Sequence, residues 1–112
     1  MDGCIFCKIA AGDIPSDIMY QDDEFVAFRD IDPQAPLHGV LVPRAHVATL
    51  ADLADEGLAG RYLQAAAKAA RAMGVEASGY RVVVNYGPDG GQLVMHVHMH
   101  ILGGRALGWP PG

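Results

Sequence analysis

The sequence predicts an α+β fold in which an antiparallel sheet of five strands is covered by one long helix. Short apolar stretches of strand length are separated by polar turns in both halves of the chain. Between these halves lies a single long segment whose apolar residues recur with helical spacing. The resulting order is β-β-β-α-β-β, which is typical of a sheet and a helix packed around one core.

The first three strands are predicted before the helix. Ile18 to Tyr20 and Phe25 to Phe28 flank the polar residues 21–24, a pattern that favours a β-hairpin. Gly39 to Pro43 is the third strand, which its proline ends. Residues 30–36 contain two prolines and several turn residues, and they are predicted to form a loop.

The helix is predicted from about Asp52 to Met73, and Gly74 supplies a C-terminal stop. Its alanines favour helix and also allow another backbone to approach closely, so this face suits either the core or a dimer interface. The residues predicted to share the apolar face are Leu58, Tyr62, Ala65, Ala66, Ala69 and Met73.

Two further strands follow the helix. Tyr80 to Asn85 is the fourth strand, residues 87–92 form a glycine-rich turn, and Val94 to Leu102 is the fifth strand. The tail, residues 108–112, contains two prolines and cannot continue a helix or a central strand.

Length and charge restrict the class of protein. The 112 residues suit one domain, residues 1–112, and a chain this short gains from an additional support such as a dimer or a metal. The formal net charge is −5 and the basic residues are scattered, so a nucleic-acid partner is not expected. A mononucleotide remains compatible, because a few N–H groups and imidazoles can hold one phosphate.

The chain carries no apolar segment that approaches the roughly 20 residues of a membrane span, and no secretory leader is visible, so a cytoplasmic protein without a membrane partner is expected. The two cysteines, Cys4 and Cys7, form a C-x-x-C motif. In a cytoplasmic chain this spacing indicates metal binding or redox chemistry more than a structural disulfide.

Three histidines fall within six residues at 96, 98 and 100. Alternate side chains of a strand share a face, so the imidazoles form a row while the apolar residues between them anchor the core. A solvent-facing polar stripe or a pair of metal ligands would give the same spacing. The preceding glycine-rich turn instead favours an anion site, since it can present several N–H groups to a phosphate.

The segment from His96 to Leu102 resembles the H-φ-H-φ-H-φ-φ signature of the histidine triad (HIT) superfamily, where φ is apolar. Cys4 to Ile9, Phe28 to His38, Asn85 with its turn, and the Trp-Pro-Pro-Gly ending resemble the HINT branch. The resemblance implies a HIT-like fold, and a homodimer whose sheet continues from one protomer to the other. It also implies hydrolysis of adenosine and guanosine phosphoramidates, including nucleotidyl-lysine, to a nucleoside monophosphate and an amine.

The resemblance assigns catalytic roles to four histidines. His98 matches the nucleophile that forms a nucleotidyl intermediate, and His100 matches a residue that contacts the α-phosphate, where its charge would offset the developing negative charge. His96 is the first triad histidine, and His38 matches a fourth histidine beside the triad. Taken alone, His38 has an ordinary alternative as a polar residue that satisfies the backbone.

The nucleotide-binding residues are also carried over from the family. Asp30 matches the carboxylate that binds the ribose hydroxyls, although a turn role is the simpler interpretation of this residue alone. Position 93 is a departure, because the family commonly has serine where this chain has leucine. The remaining matches are Phe6, Ile9, Phe28 and Ile31 around the base, Asn85, Gly91, Leu93 and Val94 near the phosphate, and Trp109 on the partner's leaving-group side.

The resemblance further implies a structural zinc site. Bacterial relatives with a similar Cys-Ile-Phe-Cys segment bind zinc through two more histidines, which correspond to His46 and His96 here. The alternative is two small buried thiols and a surface histidine. Two other functions also stay open at this stage, namely a dinucleoside polyphosphate hydrolase and a nucleotide-binding scaffold protein.

Overall fold

The computed structural model describes residues 3–112 and contains the predicted sheet. Its five strands lie in the order β1-β2-β3-β5-β4, and every neighbouring pair is antiparallel. The α+β fold class is therefore confirmed. The strands are β1 Ile18–Gln21, β2 Phe25–Arg29, β3 Leu37–Pro43, β4 Tyr80–Val84 and β5 Met99–Gly103.

A short helix that the sequence analysis did not predict, α1, spans Ile5–Ala11. The Sγ of Cys4 accepts a hydrogen bond from the backbone N–H of Cys7 at its start, and Gly12 ends it with a φ of 81°. Phe6, Ile9 and Ala10 have helical spacing and face the sheet. That pattern is only seven residues long, so it is easily overlooked beside the cysteine motif.

The long helix, α2, spans Glu56–Ala72 and begins later than predicted. Asp55 caps it by accepting from the N–H of Leu58, while Leu50–Asp52 forms a separate turn of 3₁₀ helix. The predicted apolar face is confirmed, since its alanines and Tyr62 are buried against the sheet. The hydroxyl of Tyr62 donates a 2.7 Å hydrogen bond to the backbone oxygen of Leu41 in β3.

The last two strands are shorter than predicted. β4 ends at Val84 rather than Asn85, and β5 begins at Met99 rather than Val94. Residues 94–98 leave the sheet because the N–H of Val97 donates to the oxygen of Val47, in the loop after β3, over 2.6 Å. In the glycine-rich turn, Gly87–Gly90 form one turn of helix, α3.

The sheet has a different layer on each face. α2 packs on one face, over a core that includes Leu41, Met99 and Ile101. α1 lies over the other face, where Val40 and Val42 contribute to a second apolar cluster. Among the helices described, none is long and apolar enough to cross a membrane.

Replacing glycine by alanine should have opposite effects on stability at two positions, because the space around the added methyl group differs. A Cβ at the buried Gly103 would lie 2.6 Å from a Cγ of Val75, so Gly103→Ala should lower the free energy of unfolding by about 1–3 kcal/mol. A Cβ at Gly60, inside α2, would meet nothing within 4 Å, so Gly60→Ala should raise it by about 0.5–1 kcal/mol. Urea unfolding of both variants checks this. Equal effects at the two positions would contradict the packing described.

Candidate functional site

The three histidines of the signature lie where the chain enters β5. Only His100 is inside the strand, yet the predicted alternation holds through the irregular segment before it. Val97, Met99 and Ile101 point into the α2 core, while the imidazoles lie on the α1 face. The rings of His98 and His100 are 5.0 Å apart, so one phosphate group could contact both.

A hydrogen bond to the main chain fixes the state of His98. Its Nδ1 lies 2.8 Å from the backbone oxygen of His96. Because a carbonyl oxygen only accepts, Nδ1 carries the proton and neutral His98 keeps its lone pair on Nε2. The oxygen of His96 is free for this bond because the ladders of β5 with β3 and β4 begin at Met99.

A chain of hydrogen bonds also fixes the tautomers of His38 and His100. The backbone N–H of Gln34 donates to Nδ1 of His38 over 3.0 Å, so the proton of neutral His38 is on Nε2. That Nε2 lies 2.8 Å from Nδ1 of His100 and donates to it. His100 therefore carries its own proton on Nε2. The contribution of the Gln34 backbone was not predicted, because main-chain donors leave no signal in the side-chain pattern.

Burial keeps these two imidazoles uncharged. Desolvation, together with the neighbouring histidines, lowers the pKa of His100 to about 4, and desolvation also lowers the pKa of His38. Asp30 opposes both shifts, since its Oδ2 lies 3.3 Å from Nε2 of His38 and 4.0 Å from Nδ1 of His100. In the free chain these causes favour neutral His100, so its expected charge toward the phosphate stays a prediction for the substrate complex.

An apolar wall borders the nucleophile candidate. The ring of Phe6 packs edge-on against that of His98, with centroids 5.1 Å apart, and lies tilted against that of Phe28 at 5.4 Å. Ile9 joins the same cluster. Ile31, predicted to belong to this wall, is fully exposed. It lies in the loop before β3, which carries its side chain away from the cluster.

The other predicted binding residues lie between Asn85 and Val94, except Trp109, which lies in the tail. Leu93 is 91% exposed and, with Val94 and His46, lines an open cavity of about 390 Å³. Asn85 is half-buried just beyond β4, and Gly91 ends α3 with a φ of 77°. Gln92, in the same loop, has a role that was not predicted from the sequence. The buried amide of Gln92 donates to the oxygens of Ala48 and Val94 and thereby holds this loop.

Trp109 lies beside β4, at the edge of the sheet. It is 82% exposed, and the guanidinium of Arg81 lies 6.0 Å from the centre of its ring. Arg81 also donates to the backbone oxygen of Gly108 over 2.8 Å. The tail is thus fixed to β4, which within residues 3–112 has a strand neighbour on one side only.

Cys4, Cys7, His46 and His96 come together as the sequence predicts. One donor atom from each lies within 4.8 Å of all the others. The Nδ1 of His96 is 3.3 Å from the Sγ of Cys4 and 3.4 Å from that of Cys7, and the Nδ1 of His46 is 3.3 Å from the Sγ of Cys7. These separations are near the roughly 3.5 Å between sulfur and nitrogen ligands of one tetrahedral zinc ion.

The hydrogen bonding of His96 suits metal ligation. Its Nε2 lies 2.7 Å from the backbone oxygen of Pro43 and must donate to it, so the lone pair of the neutral ring is on Nδ1, facing both sulfurs. Burial lowers the pKa of His96, which keeps the imidazole neutral, as a ligand requires. The donor set is therefore compatible with zinc.

Comparisons with known proteins agree with this geometry. The HIT domain family model matches residues 11–107. The purine nucleoside phosphoramidase of Escherichia coli K12 is 49% identical over 106 residues, which cover 93% of this chain and 89% of that protein.

Solved structures with the same fold include a HIT family hydrolase from Legionella pneumophila, with a TM-score of 0.92 and 47% identity over 98% of this chain and 100% of that one. Another is a histidine triad nucleotide-binding protein from Candida albicans, with a TM-score of 0.82 and 32% identity over 96% of this chain and 83% of that one. The histidine signature, the fold and the match along nearly the whole length agree, and the chain belongs to the HIT domain family.

Proposed function

We propose that this chain is a purine nucleoside phosphoramidase of the HINT branch, formed by one HIT domain over residues 1–112. It would hydrolyse adenosine and guanosine 5′-phosphoramidates to the nucleoside monophosphate and the amine. The identity with the E. coli enzyme supports this substrate class. The observation that carries the proposal is the hydrogen bond from Nδ1 of His98 to the oxygen of His96, which leaves Nε2 as a nucleophile.

In the proposed reaction, Nε2 of His98 attacks the phosphorus, and the phosphorus–nitrogen bond breaks as the leaving nitrogen takes a proton that comes from solvent by way of His100. Water then cleaves the nucleotidyl–His98 bond, which releases the monophosphate and returns one proton to solvent. The nucleophile needs no base to remove a proton, because neutral His98 already has its lone pair on Nε2.

His100 and His38 would act together on the phosphate. His38 donates to Nδ1 of His100, so the N–H at Nε2 of His100 is available to a phosphate oxygen or to the leaving nitrogen. This donor is a neutral N–H held in place, and it can stabilise the developing charge without being a cation itself. Asp30, beside both rings, would favour their protonated forms as negative charge develops on the phosphate oxygens.

The nucleotide would lie along the α1 face. The wall of Phe6, Ile9 and Phe28 offers an apolar surface for a purine, and Ile31 could contact the base only from its exposed loop. Asp30 would accept from the ribose hydroxyls. We assign phosphate contacts to Asn85, Gly91, Val94 and the backbone of Leu93, whose side chain cannot donate as a serine would.

Zinc is proposed at Cys4, Cys7, His46 and His96. A bound zinc ion would cross-link α1 to the loop after β3 and to the segment before β5. It takes no part in the proposed chemical steps.

The assembly is proposed to be a homodimer in which the sheets join into one. The outer edge of β4 has no strand neighbour among the residues described, and Tyr80 and Val82 on it are more than one-third exposed. Trp109, fixed beside this edge, would lie near the leaving-group side of the partner's site.

Removing the nucleophile should separate catalysis from binding. We expect His98→Ala to lower kcat for an adenosine phosphoramidate by about a thousandfold or more, with AMP still bound by the remaining contacts. His100→Ala, the matched change, should lower it less, because attack remains possible. Steady-state rates on this substrate and on a dinucleoside polyphosphate, with calorimetric AMP titration, check both points. A nearly wild-type rate for His98→Ala would disprove covalent catalysis by His98.

Because desolvation lowers the pKa of the half-buried His100, acid should destabilise the fold. The pKa of His100 is lowered from 6.5 to about 4 on folding, so the unfolded chain binds more protons between these pH values and stability falls as the pH drops through them. His100→Gln removes this titration. We expect its free energy of unfolding to change less between pH 7 and pH 5 than that of the wild type, as measured by urea unfolding. An unchanged pH dependence would contradict the buried neutral state.

The position of Trp109 predicts a role in amine selection. Trp109→Ala should change the relative kcat/KM for phosphoramidates of different amines more than it changes the affinity for AMP. Arg81→Lys should weaken the hydrogen bond to the backbone oxygen of Gly108 that holds the tail, and should therefore have the same effect to a smaller degree. A monomer in sedimentation at micromolar concentration would contradict the proposed assembly.

A further inference from the structure

One residue, His96, belongs to both groups described above. Its imidazole is the member of the cysteine–histidine group that lies nearest both sulfurs. Its backbone oxygen is the acceptor that holds Nδ1 of His98. The orientation of the nucleophile is therefore set by a residue whose side chain faces the metal ligands.

The imidazole of His96 is held at both nitrogens when a metal is bound. It is fully buried, Nε2 donates to the oxygen of Pro43, and Nδ1 faces the sulfurs of Cys4 and Cys7. By contrast, its backbone lies in a bend that precedes the ladder of β5. The carbonyl group at this position is therefore restrained by the His96 side chain and by the bond from the N–H of Val97, in the same peptide unit, to the oxygen of Val47, rather than by strand pairing.

A second link runs through α1. Phe6 lies between the two cysteines in sequence, and its ring packs edge-on against His96 at 6.1 Å and against His98 at 5.1 Å. A helix of seven residues is too short to be stable alone, so its position depends on what holds it to the sheet. A metal held by both cysteines would fix Phe6 against the nucleophile.

We propose that Cys4, Cys7 and His46 are positioning residues for the nucleophile. The metal that they hold with His96 keeps the oxygen of His96 in place to accept from Nδ1 of His98. This bond selects the tautomer whose lone pair is on Nε2. Without the metal, His98 also populates the tautomer protonated on Nε2, which cannot attack phosphorus.

This inference rests on the proposed function for its kinetic part, whereas the state of the imidazole can be measured without turnover. The full-length protein is prepared with zinc, and as Cys4→Ser, Cys7→Ser and Cys7→His variants, the last of which replaces one zinc ligand with another. Tyr62→Phe serves as the control, because it removes a buried hydrogen bond on the opposite face of the sheet. Zinc content, thermal stability, kcat and KM are measured for each.

Across this series, kcat should follow zinc content. Variants that lose zinc should lose kcat by about 10–100-fold. KM should rise by a smaller factor, because the metal would hold Phe6 of the base wall but not Asp30 or Asn85. Cys7→His should keep kcat to the extent that it keeps zinc. Tyr62→Phe should lower the melting temperature and leave kcat unchanged.

The ¹⁵N spectrum of the histidine rings supplies the second readout. With zinc bound, His98 should show a single tautomer protonated on Nδ1, and the zinc-free variants should show a mixture. Where a cysteine variant does not fold, His46→Asn is titrated with buffered zinc, because it removes one half-buried ligand and leaves both cysteines in place. The tautomer and kcat should then change together with zinc occupancy.

Two results would overturn the proposal. One is a folded, zinc-free variant that keeps the wild-type kcat, and the other is a His98 spectrum that does not depend on zinc. Absence of phosphoramidase activity in the zinc-loaded wild type would instead refute the proposed function, and the ¹⁵N titration would still decide whether the metal positions His98.

Discussion

The hydrogen bond between Nδ1 of His98 and the main-chain oxygen of His96 is the interaction on which the site depends. It exists because β5 starts at Met99 and leaves the carbonyl group before it without a strand partner. Had the strand begun at Val94, ladder bonds would compete for that oxygen. The irregular segment before β5 therefore helps to create a nucleophile, and the buried amide of Gln92 helps to hold its start.

Neutrality is the second constraint on the site. Each of the five imidazoles has another ring within 5.1 Å between centroids, and protonating several of them at once would bring like charges close together. Burial and main-chain partners prevent this, since Gln34 and Pro43 assign a proton to one nitrogen each of His38 and His96. The rings can then act as directed donors and acceptors at neutral pH, which a solvated row of histidines could not do.

Local pattern predicted most of the framework. Hydrophobic spacing located all five strands and the buried face of α2, and the C-x-x-C motif indicated the residues that gather with His46 and His96. Hydrophobic spacing did not predict strand boundaries or side-chain exposure correctly where tertiary contacts determine them. The start of β5 depends on a bond to Val47, and the exposure of Ile31 depends on the path of its loop. Helix α1 was missed because its two turns carry too few apolar positions to stand out.

Alternate side chains of β3 point to opposite faces of the sheet, so the residues that stabilise the fold are separated from those beside the catalytic histidines. Leu41 faces the α2 core, whereas Val40 and Val42 face the layer that carries α1 and the imidazoles. Stabilising substitutions usually cost activity when the same side chains serve both purposes. Here the sheet acts as a partition, so the α2 side could be redesigned or drift in sequence with little effect on the geometry of the other side. Such a chain is a favourable scaffold for directed evolution, because stabilising substitutions on the α2 face can offset destabilising ones that change specificity on the other face.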